Sequence, residues 1–297
     1  MANAYSGTTQ QFSEPYLTLA EYKNAPTAID LSNLVFNSQD PDIQDAELTN
    51  VITRASSWCD TWCNQILAAT TQSEQQRTRI GADGTFRFHP RYNPVVALTY
   101  MEYGNPSTQM QTLPDCSVAW IEDSEIIVPY ANLSLTLSSQ GPLQFGFPTS
   151  PRIETYIKYT YVAGYSNTTI VSATAGQNVL VVKNPTGFIA GQMLTIYDGY
   201  NSENVTVADT YTFGSPNINL TSNLLYSHSA GISISALPAA IKEAAILVTT
   251  AFLKVRGDSS MTMGVITSPS VSSPGKDKLS DEIQLAKELL QPYRRVR

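Results

Sequence analysis

The stretch from Ser166 to Ala236 constrains the fold of this chain most. Short β-like runs follow one another here, separated by Gly, Asn and Pro: "NVLVV", "MLTIYDG", "NVTVADTYTF", "NINLT" and "GISISAL". Such regular punctuation is typical of a small sandwich or barrel of about 70 residues. A helical pattern, "LPAAIKEAAILVTTAFLKVRG", follows at once, with Pro238 in its first turn and Gly257 at its end. We therefore interpret residues 166–236 as a β-module inserted into another domain.

Helical patterns occur on both sides of this module. Thr18 and Glu21 are placed to form a capping box at the start of a short helix. A longer helix follows, capped by the acidic residues Asp40, Asp42, Asp45 and Glu47. Its apolar side chains fall mostly at spacings of three and four: Leu48, Val51, Ile52, Ala55, Trp58, Trp62, Ile66 and Leu67. The last helix, "KLSDEIQLAKELLQ", stops before Pro292, with Leu285, Leu289 and Leu290 expected to face inward.

Strand-like runs separate the early helices from the β-module. From Thr78 onward they are broken by Gly, Asp and Pro, with a hairpin signal at Asp83-Gly84 and with Ile157, Tyr159 and Tyr161 on one side of a strand. We expect about six strands there. The predicted fold class is α+β, with helices, a strand region and an inserted small all-β module. The predicted domains are a flexible arm at 1–14, a core at 15–165 and 237–297, and the module at 166–236.

The charge balance argues against several classes of protein. Only 14% of the residues are charged and the net charge is −7, which is unlike a nucleic-acid binder whose Lys and Arg neutralise phosphates. No apolar run approaches the length that spans a bilayer, and no secretion signal is visible. We expect a soluble protein made in the cytoplasm, with no membrane partner.

Side chains that could carry catalysis are scarce. His89 and His228 are the two histidines, and both are interpreted as structural or surface residues. Cys59 and Cys63 share a helix face but lack the two further ligands that a structural zinc needs, so core packing beside the tryptophans is the favoured interpretation. The sequence predicts no enzyme activity, no metal and no cofactor.

Several motifs, taken in order, resemble the head-tail connector, or adaptor, proteins of long-tailed bacteriophages. They are "YLTLAEYKN", "DAELTNVITRASSWCDTWCNQ", "YVAGY", "LPAAIKEAAILVTTAFLKVRGD" and "AKELLQPYRR". The strand region from 77 to 160 is longer than in the small adaptors. The resemblance implies a helical-bundle core and a virion protein of the neck, at the head-tail interface. There it would form a ring of about twelve copies under the portal protein. It would offer a platform to a stopper or tail-completion protein, while genomic DNA passes through the channel without specific binding.

In that family the C-terminal segment tends to dock onto the portal, which implies this role for Tyr293, Arg294, Arg295 and Arg297. The residue types suit it, since Arg bonds carboxylates with a planar fork and Tyr supplies a rigid apolar anchor. Leaving its helix at Pro292, this tail is expected to be directed outward. A frayed, solvated C-terminus is the open alternative.

A second function stays open at this point, because tyrosines in the β-module could stack on sugars. On that alternative the chain is a carbohydrate- or receptor-binding protein of a virion, acting through Tyr197, Tyr200 and Tyr211.

Overall fold

The structure is a computed structural model of the whole chain. It describes residues 14–27, 29–31, 34–35, 38, 40–79, 81, 84–105, 109–129, 154–257 and 278–295. The predicted arm at 1–14 lies outside these residues except for Glu14, and so does Asp83. The chain divides into two compact units, and Ala69–Gly164 forms most of the first. The second unit consists of Ser13–Ala68 together with Tyr165–Arg297.

Two antiparallel sheets build the first unit. One has the strand order β1-β7-β3-β4, and the other has the order β2-β6-β5. The strands are β1 (Thr70–Arg79), β2 (Thr85–Phe88), β3 (Val95–Asn105), β4 (Gln109–Thr112), β5 (Trp120–Glu122), β6 (Glu125–Pro129) and β7 (Glu154–Ala163). Strand β1 pairs with β7, and β2 pairs with β6. The hairpin turn predicted at Asp83-Gly84 lies partly outside the described residues.

Alternating side chains of both sheets form the core of the first unit. Ile157, Tyr159 and Tyr161 of β7 are fully buried, as the sequence predicted, and Phe86 and Ile126 of the smaller sheet join them. The Glu74 carboxylate of β1 accepts hydrogen bonds from the hydroxyls of Tyr159 (3.1 Å) and Tyr161 (2.5 Å). These two hydrogen bonds connect the polar strand β1 to the aromatic core, and they supply the partners that the buried tyrosine hydroxyl groups require.

Four α-helices belong to the second unit in its described part. They are α1 (Leu19–Asn24), α2 (Pro41–Cys63), α3 (Ala239–Gly257) and α4 (Lys278–Leu290). The predicted capping box of α1 is present, since Thr18 and Glu21 exchange hydrogen bonds with each other's backbone N–H groups. Asp40 caps α2 as expected, accepting from the backbone N–H of Asp42.

The helices of the second unit share one apolar core. Leu48, Val51, Ile52 and Ala55 of α2 are buried there, together with side chains of α3 and α4. In α4 the buried positions are Ala286 and Leu290, four residues apart on one face. Leu285 was expected inside but is 47% exposed, because the smaller Ala286 takes the inward position of that turn.

A six-stranded antiparallel sheet with the order β11-β10-β13-β8-β9-β12 forms the rest of the second unit. Its strands are β8 (Asn167–Ala173), β9 (Val179–Val182), β10 (Met193–Tyr197), β11 (Glu203–Thr206), β12 (Asn217–Asn219) and β13 (Ser233–Ser235). These strands enclose an apolar core of their own. The predicted extents of the domains, 15–165 with 237–297 and the module at 166–236, stay a prediction.

The predicted helical-bundle core is wrong. The described chain is mostly β, with three sheets and one small helical region. Two of its three apolar cores are built from strands and the loops between them. The amphipathic helices gave the clearest sequence patterns, and those patterns were mistaken for the centre of the fold. None of the helices in the described ranges has both the length and the apolar character to cross a membrane.

Candidate partner-binding site

The C-terminal end of α2 forms the base of the candidate site. The helix stops at Asn64, whose φ of 54° places it in the left-handed region that ends many helices. The last turn of α2 carries no basic residue, so its final carbonyls lack the cation that commonly stabilises this end of a helix dipole.

Residues 291–295, here called the C-terminal segment, pack against this end of α2. A short 3-10 helix, Gln291–Tyr293, follows α4 directly, with Pro292 in its first turn. The backbone N–H of Arg295 donates to the carbonyl of Cys63 at 2.9 Å, and Gln65 Nε2 donates to the carbonyl of Tyr293 at 2.8 Å. The segment is therefore part of the folded unit as far as Arg295, contrary to the expectation that it leaves the protein at Pro292.

Aromatic rings position the segment. The half-buried ring of Tyr293 meets Tyr165 edge to face, with centroids 6.3 Å apart. Trp58 and Trp62, one turn apart on α2, stack nearly parallel at 6.1 Å. Both geometries are favourable for aromatic pairs, at about 0.5–1.5 kcal/mol beyond the buried area.

Two cations lie over the ring of Trp62. Arg294 Cζ is 4.7 Å from its centroid, and Lys287 Nζ from α4 is 4.9 Å away. Neither cation forms an ion pair with a residue in the described ranges. Because a cation–π contact uses the charge but not the N–H donors, both groups can still bond a carboxylate. Trp58, Trp62, Lys287 and Arg294 are called the cation–aromatic cluster below.

The two cysteines of α2 lie beneath this cluster and are fully buried, as predicted. The pKa of the Cys63 thiol is raised to about 12, mainly by burial and also by Asp60, while Arg294 acts in the opposite direction. Burial likewise raises the pKa of Cys59. Among the described residues no cluster of His, Cys, Asp and Glu could hold a metal ion. Both thiols are packed among the buried side chains of the helical core.

The residues predicted for docking are thus partly brought together. Tyr293 anchors the segment, Arg294 joins the cation–aromatic cluster, Arg295 is fixed through its main chain, and Arg297 lies outside the described residues. The sequence analysis missed Lys287 and the partly buried tryptophan pair as parts of this site. The available signal was the spacing of Trp58 and Trp62, which places both on one face of α2 at its end.

The tyrosines of the alternative sugar-binding function do not share a surface. Tyr211 belongs to the core of the six-stranded sheet, and its hydroxyl donates to the carbonyl of Ser215. Tyr197 is half-buried, with Lys242 Nζ at 4.0 Å from its ring centroid. Tyr200 alone of the three is fully exposed. A stacking platform would need several accessible rings side by side.

Comparisons with known proteins include a distant structural likeness. No protein-family model matches the chain, and no curated protein matches it. Among solved structures it is similar to a chain in the neck of an empty GTA particle, computed with C6 symmetry. That likeness has a TM-score of 0.37 and 10% sequence identity, covering 97% of this chain and 93% of the other. A TM-score so low carries no argument about fold or function.

Proposed function

We propose that this chain is a structural protein of a virion neck, a head-tail connector that forms a ring and docks on a neighbouring ring through its C-terminal segment. The neighbour would be the portal protein, and the opposite side of the ring would receive a stopper or tail-completion protein. In this role the protein carries no catalytic activity and needs no cofactor.

The observation that carries this proposal is the preorganised state of the C-terminal segment. Hydrogen bonds at Cys63 and Gln65 fix its main chain, and Tyr165 fixes the ring of Tyr293. Binding would therefore order few further residues, which removes a cost that a free tail would carry. The order of motifs along the sequence, which resembles connector proteins, is the second support.

The cations and aromatic side chains at the C-terminal segment indicate what kind of partner surface would bind it. Arg294 and Lys287 present two positive charges beside apolar aromatic area on an otherwise acidic chain. Arg and aromatic residues are the types most enriched among residues that dominate binding energy. We propose that the partner surface is an acidic groove whose carboxylates meet these two cations.

A net negative ring also suits passage of DNA. An acidic wall repels phosphate groups, so the duplex slides where a basic wall would bind it. We propose a ring of about twelve copies, as the resemblance implies.

The test is a binding measurement with a doubly charge-reversed variant. Lys287→Glu with Arg294→Glu keeps the backbone anchors of the segment, whereas deleting residues 292–297 would also remove contacts that hold the end of α2. We expect affinity for the portal to fall at least about tenfold, since each partner carboxylate would then face a like charge. Ring-on-ring complexes in negative-stain images should disappear at the same protein concentration.

Arg54→Glu is the matched control. Arg54 lies on the exposed side of α2 and pairs with Glu47 at the surface. Its reversal matches the two-unit charge change of Lys287→Glu or Arg294→Glu made singly, but it leaves the cation–aromatic cluster intact. Circular dichroism and thermal unfolding would show whether each variant folds. Equal portal affinity for the wild type and the double variant, with both folded, would contradict docking through this segment.

A further inference from the structure

A buried histidine in the six-stranded sheet unit joins two carboxylates. The side chain of His228 is fully buried, and its loop is held beside β8 by a bridge to Ala173. Nδ1 lies 2.9 Å from Oδ2 of Asp198, and Nε2 lies 2.8 Å from Oε1 of Glu203. Both ring nitrogens are therefore within hydrogen-bond distance of an acid, a feature that the sequence interpretation of His228 did not anticipate.

Glu203 also holds the loop that carries His228. Its carboxylate accepts from the backbone N–H groups of Leu225 at 3.0 Å and Tyr226 at 3.2 Å. Burial by itself would raise the pKa of Glu203, but these N–H groups and His228 outweigh it and hold that pKa below its usual value. The hydrogen bonds to the Glu203 carboxylate and its lowered pKa both indicate that Glu203 is ionised.

This arrangement suits neither a metal nor a catalytic base. The two carboxylates lie at different ring nitrogens, one at Nδ1 and one at Nε2, so a carboxylate already occupies each position at which the imidazole could bind a metal or accept a substrate proton. Within the described residues, Asp198 and Glu203 are the charged groups that contact the ring. The neighbouring strand β8 carries no charged side chain.

The number of protons on the imidazole of His228 decides whether both hydrogen bonds can form. A neutral imidazole has one N–H and one lone pair, so it can donate to one carboxylate while its lone pair faces the other. Two hydrogen bonds to two ionised carboxylates need the imidazolium, which donates from both nitrogens. When that proton leaves, a nitrogen lone pair and a carboxylate oxygen are left in contact inside the protein, which is unfavourable.

We propose that Asp198, His228 and Glu203 form a proton-dependent clasp, in which the imidazolium of His228 holds the Gly199–Asn201 turn to the loop of residues 221–228. The contact that opens on deprotonation is the one with Asp198. Its side chain is 24% exposed and can exchange His228 for water, whereas Glu203 is 5% exposed and is kept in place by two backbone N–H groups.

Opening the clasp would alter the surface of this unit. The turn next to Asp198 carries the fully exposed ring of Tyr200, and the loop next to His228 carries Leu225, which is 73% exposed. The proton thereby controls whether these two apolar side chains stay in a fixed arrangement. This inference is independent of the proposed connector function.

Nitrogen-15 spectra of the histidine side chains test the clasp directly. The chain has two histidines, so a His89→Gln background leaves the signals of His228 alone. At about pH 6 we expect N–H protons on both ring nitrogens. At alkaline pH, about 10, we expect one ring N–H in place of two. We also expect lower hydrogen-exchange protection of the backbone amides of Asn201 and Ser202 in the turn, measured against the intrinsic exchange rate at the same pH.

Asp198→Asn separates the clasp from simple packing. The amide of Asn can donate to the lone pair of a neutral imidazole, so the contact persists without the additional proton. This variant should show one ring N–H at both pH values and a turn whose exchange protection, relative to the intrinsic rate, is the same at both. The proposal is overturned if the wild type has a single ring N–H near pH 6. It is equally overturned if its turn is unaffected at alkaline pH, or if the variant responds to pH as the wild type does.

Discussion

Replacing Lys242 with methionine probes the buried ion pair at the junction of α1, α3 and the six-stranded sheet. Lys242 Nζ donates to the Glu21 carboxylate and to Ser233 Oγ (3.2 Å), and it lies over the ring of Tyr197. The side chains of Lys242 and Glu21 are only 6% and 8% exposed. Burial lowers the pKa of Lys242, while Glu21 acts in the opposite direction.

The expected cost follows from what the substitution leaves behind. Lys242→Met keeps the volume and the apolar stem but strands an ionised Glu21 in a site that excludes water. Breaking a buried pair in this way costs about 3–5 kcal/mol of unfolding free energy. Adding Glu21→Gln removes the stranded charge while retaining an acceptor for the Thr18 N–H, so the double variant should recover a large part of that loss.

Urea denaturation of the three proteins would measure these differences. Lys254→Met is the matched control, because Lys254 forms a pair with Glu282 but is 49% exposed, and surface pairs contribute at most about 1 kcal/mol. A cost for Lys242→Met as small as that for Lys254→Met, or a double variant less stable than the single one, would refute the reasoning.

Two further predictions concern partly buried carboxylates. Burial raises the pKa of Asp60 to about 6 despite its hydrogen bond from Tyr16, so the folded state binds the proton more tightly than the unfolded chain does. Stability should then fall as pH rises from about 4 to about 6, by up to about 3 kcal/mol, and Asp60→Asn should abolish this slope in denaturation at stepped pH. Glu74→Ala should cost about 2–4 kcal/mol, measured as a lower urea midpoint, because the hydroxyls of Tyr159 and Tyr161 lose their acceptor. Glu74→Gln, which keeps an acceptor oxygen, should cost less, and equal costs for both variants would contradict that assignment.

The sequence predicted local elements better than their assembly. The capping box at Thr18, the cap at Asp40 and the alternation through Ile157, Tyr159 and Tyr161 follow from short-range rules, and the structure confirms each of them. Strand β1 escaped notice because "TTQSEQQRTR" has no apolar side chain. Its place in a sheet comes from pairing with β7 and from Glu74, and neither is visible in a local pattern.

At both sites, too, the tertiary contacts could not be predicted from local sequence patterns. The cation–aromatic cluster joins residues of α2 to residues more than 200 positions later in the chain. Its Lys287 lies in α4, whose sequence has the pattern of an ordinary amphipathic helix. The partners of His228 are 25 and 30 residues away on a strand and a turn. Such contacts depend on the tertiary fold, so a single sequence could nominate Arg294 but not the ring beneath it.

A cryo-electron microscopy map of the intact neck of the particle that contains this protein tests the central claim most directly. The proposal predicts a ring of this chain against the portal, with Arg294 and Lys287 within about 4 Å of portal carboxylates and with the segment still packed on Trp62. A map in which this chain lies elsewhere in the particle, or in which the C-terminal segment faces solvent at a portal contact made by other residues, would contradict it.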